Sequence, residues 1–303
     1  MSFRFLLCAG LAGFVALGLG AQALPPVEAD ALAALNSSPR HGEWVTIPNG
    51  QDQVQAWVVY PERADSAPVV VLIHEIYGLT DWIRSVADAY AAQGFLVVAP
   101  DLLSGKGPDG KSGSSAFTQD SARLAISKLD GAEVTARLNA TAQWATSQPA
   151  ATKSYGVVGF CWGGGTAYDW ATKQPALKAA VGYYGVAPAS WTLDTLQAKV
   201  LALYGGSDAR VTNTMPGFRD RMQALGKSYE PHVYDGAGHA FLRQQQGMNG
   251  ANLKAAQDAW PRSIAFLRNA LEANVSWRPV KTLAVPVSVV TNIGDSSDCL
   301  CGL

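Results

Sequence analysis

Five residues near the middle of the chain constrain its fold most. Gly159-Phe160-Cys161-Trp162-Gly163 follows the apolar run Tyr155-Gly156-Val157-Val158 and precedes Gly164 and Gly165. The pattern predicts a strand, a sharp turn and a helix, with cysteine at the apex of the turn. It is the G-x-S-x-G elbow with sulfur in place of oxygen. The flanking glycines are needed because a Cβ there would collide with the neighbouring strand and helix. The bend points the thiol outward above a helix N-terminus, whose positive dipole end favours thiolate over thiol. A buried cysteine in a glycine-rich turn is the other reading of the same residues.

An elbow of this kind needs an acid and then a histidine further along the chain. The strand-like run Val200-Leu201-Ala202-Leu203-Tyr204 stops at Gly205-Gly206-Ser207-Asp208, so Asp208 falls just beyond a strand end. His232-Val233-Tyr234 leads into Asp235-Gly236-Ala237-Gly238-His239, which puts His239 on a glycine-bounded loop that can swing. Imidazole would take the thiol proton, and the carboxylate would fix its tautomer and stabilise the imidazolium. A turn aspartate and a loop histidine are the bland alternatives; the order and placement of all three favour the chemical reading.

The rest of the chain alternates strands with helices. An antiparallel hairpin is predicted from Glu43–Ile47 and Val54–Tyr60 around Pro48-Asn49-Gly50. Strands follow at 69–73, 95–99, 155–160, 179–184, 200–204 and 229–234. Helices are predicted at 81–93, 117–129, 131–147, 162–174, 215–225 and 251–273, the last running through Pro261. Val69–Ile73 is apolar throughout, as a strand buried on both faces requires. The fold class is therefore α/β, a mostly parallel central sheet with helices on both faces and an N-terminal antiparallel hairpin. The candidate groups all fall beyond strand C-terminal ends, where ligands bind in open α/β sheets.

Gly-Phe-Cys-Trp-Gly-Gly at 159–164, Tyr-Gly-Gly-Ser-Asp at 204–208, Gly-Ala-Gly-His-Ala-Phe at 236–241 and His74-Glu75-Ile76-Tyr77-Gly78-Leu79 together resemble the dienelactone hydrolase family of α/β-hydrolases. The resemblance spans roughly residues 43 to 272. It implies an ester or lactone hydrolase with Cys161, Asp208, His239 and Glu75 as the catalytic set. The matching glutamate of the family holds the resting thiol protonated and turned away until substrate displaces it. A nearby negative charge raises a thiol pKa and an imidazolium lowers it. Oxyanion donors are expected from the backbone N–H groups of Ile76 and Trp162. Arg243 matches a family arginine that binds a substrate carboxylate, and Arg123 is the candidate for a second; a surface arginine is the alternative for each. Tyr77 and Trp162 are candidates to line the pocket, ahead of Trp170, Tyr184 and Phe241.

Bulk properties fit one large domain. The chain has 303 residues, 48% hydrophobic and 16% charged, enough for a sizeable core. A formal net charge of −1 gives no sign of a nucleic-acid partner. Arg4 is the sole charge before an apolar run from Phe5 to Leu24, and Ala21-Gln22-Ala23 fits a signal-peptidase site. The expected layout is a signal peptide at 1–23, a lead-in at 24–42, the catalytic domain at 43–273 and a tail of unknown role at 274–303. Cleavage after Ala23 implies a periplasmic or secreted protein without stable membrane insertion; an uncleaved anchor is the rival. Cys8 lies inside the apolar run, and the tail carries Cys299 and Cys301. That pair could ligate metal, form a disulfide, link chains or have no role. Cys161 has no partner nearby in sequence, which supports a catalytic thiol in an exported protein. No metal or organic cofactor is required. The expected partner is a small ester or lactone, carboxylate-bearing on the family's precedent, cleaved through a thioester. A neutral ester, or a non-catalytic binding role for the fold, are the alternatives.

Overall fold

The apolar runs assemble into one eight-stranded sheet. A computed structural model describes residues 23–187 and 192–272. The expected signal peptide with Cys8, the C-terminal tail with Cys299 and Cys301, and its strand-like stretch at 285–290 lie outside the described residues. The strands are β1 (Gly42–Asn49), β2 (Asp52–Val59), β3 (Ala67–Ile73), β4 (Leu96–Pro100), β5 (Ala151–Phe160), β6 (Ala179–Tyr183), β7 (Lys199–Gly205) and β8 (Tyr229–Tyr234), in spatial order β1-β2-β4-β3-β5-β6-β7-β8. The pairs β1–β2 and β2–β4 are antiparallel and all the others are parallel. The hairpin thus forms at the sheet edge as expected, turning at Gly50 with φ of +64°.

Among the described residues eight α-helices accompany the sheet: α1 (Ala31–Ser37), α2 (Asp81–Ala91), α3 (Gln119–Ser127), α4 (Gly131–Ser147), α5 (Trp162–Lys173), α6 (Ala209–Thr212), α7 (Met215–Ala224) and α8 (Ala251–Leu271). The stripe on α2 (Ile83, Val86, Ala87, Tyr90) and that on α4 (Val134, Leu138, Ala142, Ala145) are buried as their spacing predicts. Two cores result. Val70 and Leu72 of β3 pack with α2 and α8 residues such as Tyr90 and Trp260, while Val69, Val71 and Ile73 face α4 and α5 residues such as Leu138 and Trp170. The period-two alternation of a strand delivers one apolar set to each layer. Trp170 and Phe241 end in these cores, not in a pocket.

Three features escape simple periodicity. The four-residue α6 is too short to leave an apolar pattern. Arg137 lies on the buried side of α4, where it donates to the Leu102 carbonyl at 2.9 Å and to Asp52 Oδ2 at 2.6 Å. The lead-in is helical from Ala31 and is anchored ahead of that helix: the indole of Trp82 donates to the Pro26 carbonyl and Gln245 Nε2 donates to the Pro25 carbonyl.

The elbow depends on two glycines. A Cβ on Gly159 would lie 1.9 Å from the Gly163 carbonyl oxygen, and one on Gly163 would lie 2.4 Å from that of His74. Gly159→Ala should therefore lose ~3 kcal/mol or more of stability, or fail to fold. Gly217→Ala, on α7 with nothing within 4 Å of its added Cβ, should be neutral or gain up to ~1 kcal/mol. Urea melts of the two variants test this, and equal midpoints would contradict the packing account.

Candidate active site

Cys161 sits between β5 and α5 with φ of +56° and ψ of −116°, a conformation non-glycine residues rarely adopt. Its amide donates to the Tyr183 carbonyl at 3.0 Å, and its own carbonyl accepts from Gly164 and Gly165 as α5 begins. The backbone is thus held on both sides of the apex, and the sulfur projects into a cavity of about 650 Å³ that also touches Ile76, Tyr77, Trp162, Tyr184 and His239.

The loops after β7 and β8 bring Asp208 and His239 to that sulfur. They are stitched together: Gly206 N–H donates to the Tyr234 carbonyl and Ser207 N–H to the Ala237 carbonyl, at 2.8 and 2.9 Å. Buried Asn252 of α8 accepts from Gly238 N–H at 2.9 Å and donates to the Gln244 carbonyl at 2.7 Å. The histidine loop is therefore pinned, where the sequence suggested one free to swing. His239 Nδ1 lies 2.5 Å from Asp208 Oδ2, and His239 Nε2 lies 3.1 Å from Cys161 Sγ. A carboxylate only accepts, so Nδ1 carries the proton and donates, leaving Nε2 to accept from the thiol.

The loop after β3 supplies the other side. His74 is fully buried, donating from Nδ1 to the Glu75 carbonyl at 2.8 Å and accepting at Nε2 from Leu102 N–H at 3.2 Å. Burial lowers its pKa and keeps it neutral, as this pattern needs. Its ring stacks on Trp162 at 5.7 Å, so it braces Glu75 and Ile76 against the elbow. Gly78, with φ of +80°, closes the turn where a Cβ would strike Ser114, and Ser114 in turn is held by buried Asp101 at 2.5 Å.

Burial pushes the Cys161 thiol up to about 11, and the nearby Glu75 carboxylate adds to the rise. The backbone N–H of Trp162, Arg210 and the backbone N–H of Ile76 act in the opposite sense. The two amides expected as oxyanion donors thus both reach the sulfur's surroundings. Charge and burial outweigh the favourable helix N-terminus, so the thiol stays protonated at neutral pH. Glu75 is itself raised to about 7, chiefly by burial, against the pull of Arg243. Its Oε2 lies 2.9 Å from Arg243 Nε, an ion pair without hydrogen-bond alignment. The carboxylate is thus engaged by Arg243 while the sulfur faces His239, an arrangement different from a thiol turned away from the imidazole.

The predicted substrate arginines separate. Arg123 lines the cavity, whereas Arg243 lies against the Tyr77 ring at 5.6 Å and is held by Glu75 and by Glu28 of the lead-in. Sequence reasoning missed Arg210, which lines the cavity two residues past Asp208, and gave Tyr184 no preference, although its ring lies 5.0 Å from that of His239. A positive φ at Tyr184, +43°, turns it into the site at the end of β6; no local motif announces that turn. Among the described residues no cluster of His, Cys, Asp and Glu could hold a metal ion, and no helix is long and apolar enough to cross a membrane.

This geometry can be set beside known proteins. The model of the dienelactone hydrolase family matches residues 54–271. A Yersinia pestis protein that carries the provisional name carboxymethylenebutenolidase is 32% identical over 247 residues, covering 78% of this chain and 91% of that one. The crystal structure of a provisionally named dienelactone hydrolase from Klebsiella pneumoniae subsp. pneumoniae superposes with a TM-score of 0.66 at 28% identity, over 75% of this chain and 98% of the other. A dienelactone hydrolase from Anabaena variabilis, at 20% identity and a TM-score of 0.57 over 77% of this chain and 99% of that one, shares the fold. The chain belongs to the dienelactone hydrolase family.

The charge account yields a test. In Glu75→Gln, loss of the carboxylate should lower the midpoint for alkylation of Cys161 by iodoacetamide below that of the wild type. At neutral pH the variant should label faster, as followed by peptide mass spectrometry. An unmoved midpoint would show that the Glu75 charge does not reach the sulfur.

Proposed function

We propose that this chain is an exported, cysteine-dependent hydrolase of an ester or lactone, working through a thioester. Family membership supports a hydrolase acting on such bonds. The observation that carries the finer reading is the relay Sγ···Nε2 at 3.1 Å and Nδ1···Oδ2 at 2.5 Å, set in a cavity beside two convergent backbone amides.

In this reading His239 Nε2 takes the Sγ proton as the sulfur attacks the acyl carbon. The carbonyl oxygen becomes an alkoxide held by the N–H groups of Ile76 and Trp162. Collapse breaks the carbon–oxygen ester bond, and the departing alkoxide receives the proton from Nε2. The acyl group remains on Cys161 as a thioester. His239 then deprotonates water, which attacks the thioester carbonyl; collapse expels the thiolate, which is reprotonated from Nε2. Asp208 keeps Nδ1 protonated and balances the imidazolium in both halves. Glu75 works as the gate: with Arg243 it holds the thiol protonated until substrate alters their balance, which protects the sulfur from oxidation in an exported protein. Amides are poor substrates for this machinery, because an amine leaves a sulfur-bound tetrahedral intermediate reluctantly.

Export rests on the apolar run before Leu24 and Ala21-Gln22-Ala23. N-terminal sequencing of the protein recovered from outside the cytoplasm should begin at Leu24; an intact leader on all of it would remove this part of the reading.

Steady-state hydrolysis of p-nitrophenyl butyrate tests the chemistry. Cys161→Ala and His239→Ala should each lose ~10⁴-fold or more in kcat, and Asp208→Asn a comparable amount through the wrong tautomer. Undiminished turnover in Cys161→Ala would remove the sulfur from the mechanism.

A further inference from the structure

Arg243 divides one positive charge between two carboxylates. Its Nη1 donates to Glu28 Oε2 at 2.5 Å, whereas its Nε meets Glu75 Oε2 at 2.9 Å without hydrogen-bond alignment. Glu28 thus holds the guanidinium where it reaches the buried acid by charge and not by an aligned Nε donor. The seat of Glu28 is built. Its amide donates to the Arg243 carbonyl at 3.3 Å. Just ahead of it, the carbonyls of Pro25 and Pro26 accept from Gln245 Nε2 at 2.8 Å and from the Trp82 indole at 3.1 Å. Beyond α1, Arg40 pairs with Asp88 of α2 at 2.6 Å. The Glu28 side chain is 45% exposed and that of Glu75 only 4%. Water solvates the first charge, so the buried acid bears the cost of sharing a cation. Two further titratable groups face Glu75, the phenol of Tyr184 at the end of β6 and the thiol of Cys161; burial raises the pKa of each and keeps both neutral at pH 7. His74, its chain neighbour, is neutral as well. The charge on Glu75 is therefore decided between Arg243 and Glu28.

We propose that Glu28 is a positioning residue of this site: by tying Arg243 to the lead-in it withholds the guanidinium from a full pairing with Glu75, and so sets the pH at which that buried carboxyl gives up its proton. Glu28 lies ahead of residues 54–271, the stretch that the family model matches, so the hold comes from the lead-in and not from the catalytic domain. Without the Glu28 charge, a negative neighbour is gone and Arg243 can turn an aligned donor to Glu75. Both changes favour the carboxylate and lower its midpoint, in keeping with the upward push of Glu28 on the Glu75 pKa. The part of Glu75 as a gate for the thiol rests on the hydrolase reading; its titration does not.

The test follows the Glu75 carboxyl directly, by NMR of protein labelled with carbon-13 at the glutamate side-chain carboxyls. The Glu75 resonance is assigned by its loss in Glu75→Gln, and its pH midpoint is compared in the wild type, Glu28→Gln, Arg243→Gln and the double variant. In Glu28→Gln the midpoint should fall by about half to one pH unit, a threefold to tenfold change in the acid constant. On the Arg243→Gln background the same substitution should move it much less, because Glu28 acts through the guanidinium. An unmoved or raised midpoint in Glu28→Gln overturns the proposal, and a lowered urea midpoint alone would leave the lead-in a structural strap. Equal movement on both backgrounds overturns the positioning role, since Glu28 would then act by its own charge. A lowered midpoint in a protein that hydrolyses no p-nitrophenyl butyrate upholds the role of Glu28 and removes the hydrolase reading instead.

Discussion

The site depends on a backbone contact with no polar side chain in it. The first turn of α5 lies against the carbonyls of Ile73 and His74, so close that Gly163 has no room for a Cβ. This contact fixes where Cys161 points, because the chain must leave β5, reverse and enter the helix within one residue. In the proposed mechanism it also sets the oxyanion geometry. The loop that begins at His74 carries Ile76, and pressing the helix onto β3 brings that amide alongside the amide of Trp162. The positive φ of Cys161 is the strain accepted for this arrangement.

Electrostatics then decides the resting state. A helix N-terminus beneath a thiol favours the thiolate, yet here the thiol is raised. Removal from water and the Glu75 charge oppose the dipole and exceed it. Glu75 feels the same burial, and Arg243, with a smaller contribution from Tyr184, pulls its pKa back down. Sulfur, carboxylate and guanidinium are therefore linked, and a ligand that changes the charge or hydration of any one changes the others. The lead-in joins this set through Glu28, which gives residues outside the central sheet a hold on Arg243.

Much of the frame was legible because it rests on local regularities. Apolar runs such as Val69–Ile73 can only be doubly buried strands, and the spacing on α2 and α4 marks their inner faces. The order Cys161, Asp208, His239, each beyond a strand, needed only the alternation to be read. What the sequence hid depends on contacts between distant segments. Arg243 stands four residues from His239 and looks like a substrate ligand until Glu28, more than two hundred residues away, is found against it. Arg210 sits on a helix too short for periodicity, and Tyr184 is turned into the site by one unusual φ. His74 lay in plain view within a quoted motif, yet its bracing role appears only when Leu102 and Trp162 are placed around it.

The central claim is that the sulfur of Cys161 carries the acyl group while two backbone amides hold the carbonyl oxygen. The most direct measurement is a crystal structure of the protein reacted with a slowly deacylating aryl ester. The account predicts an acyl carbon bonded to Cys161 Sγ, with its oxygen within hydrogen-bond reach of the N–H groups of Ile76 and Trp162. An acyl group on any other residue, or a Cys161 adduct whose oxygen turns away from both amides, would contradict it.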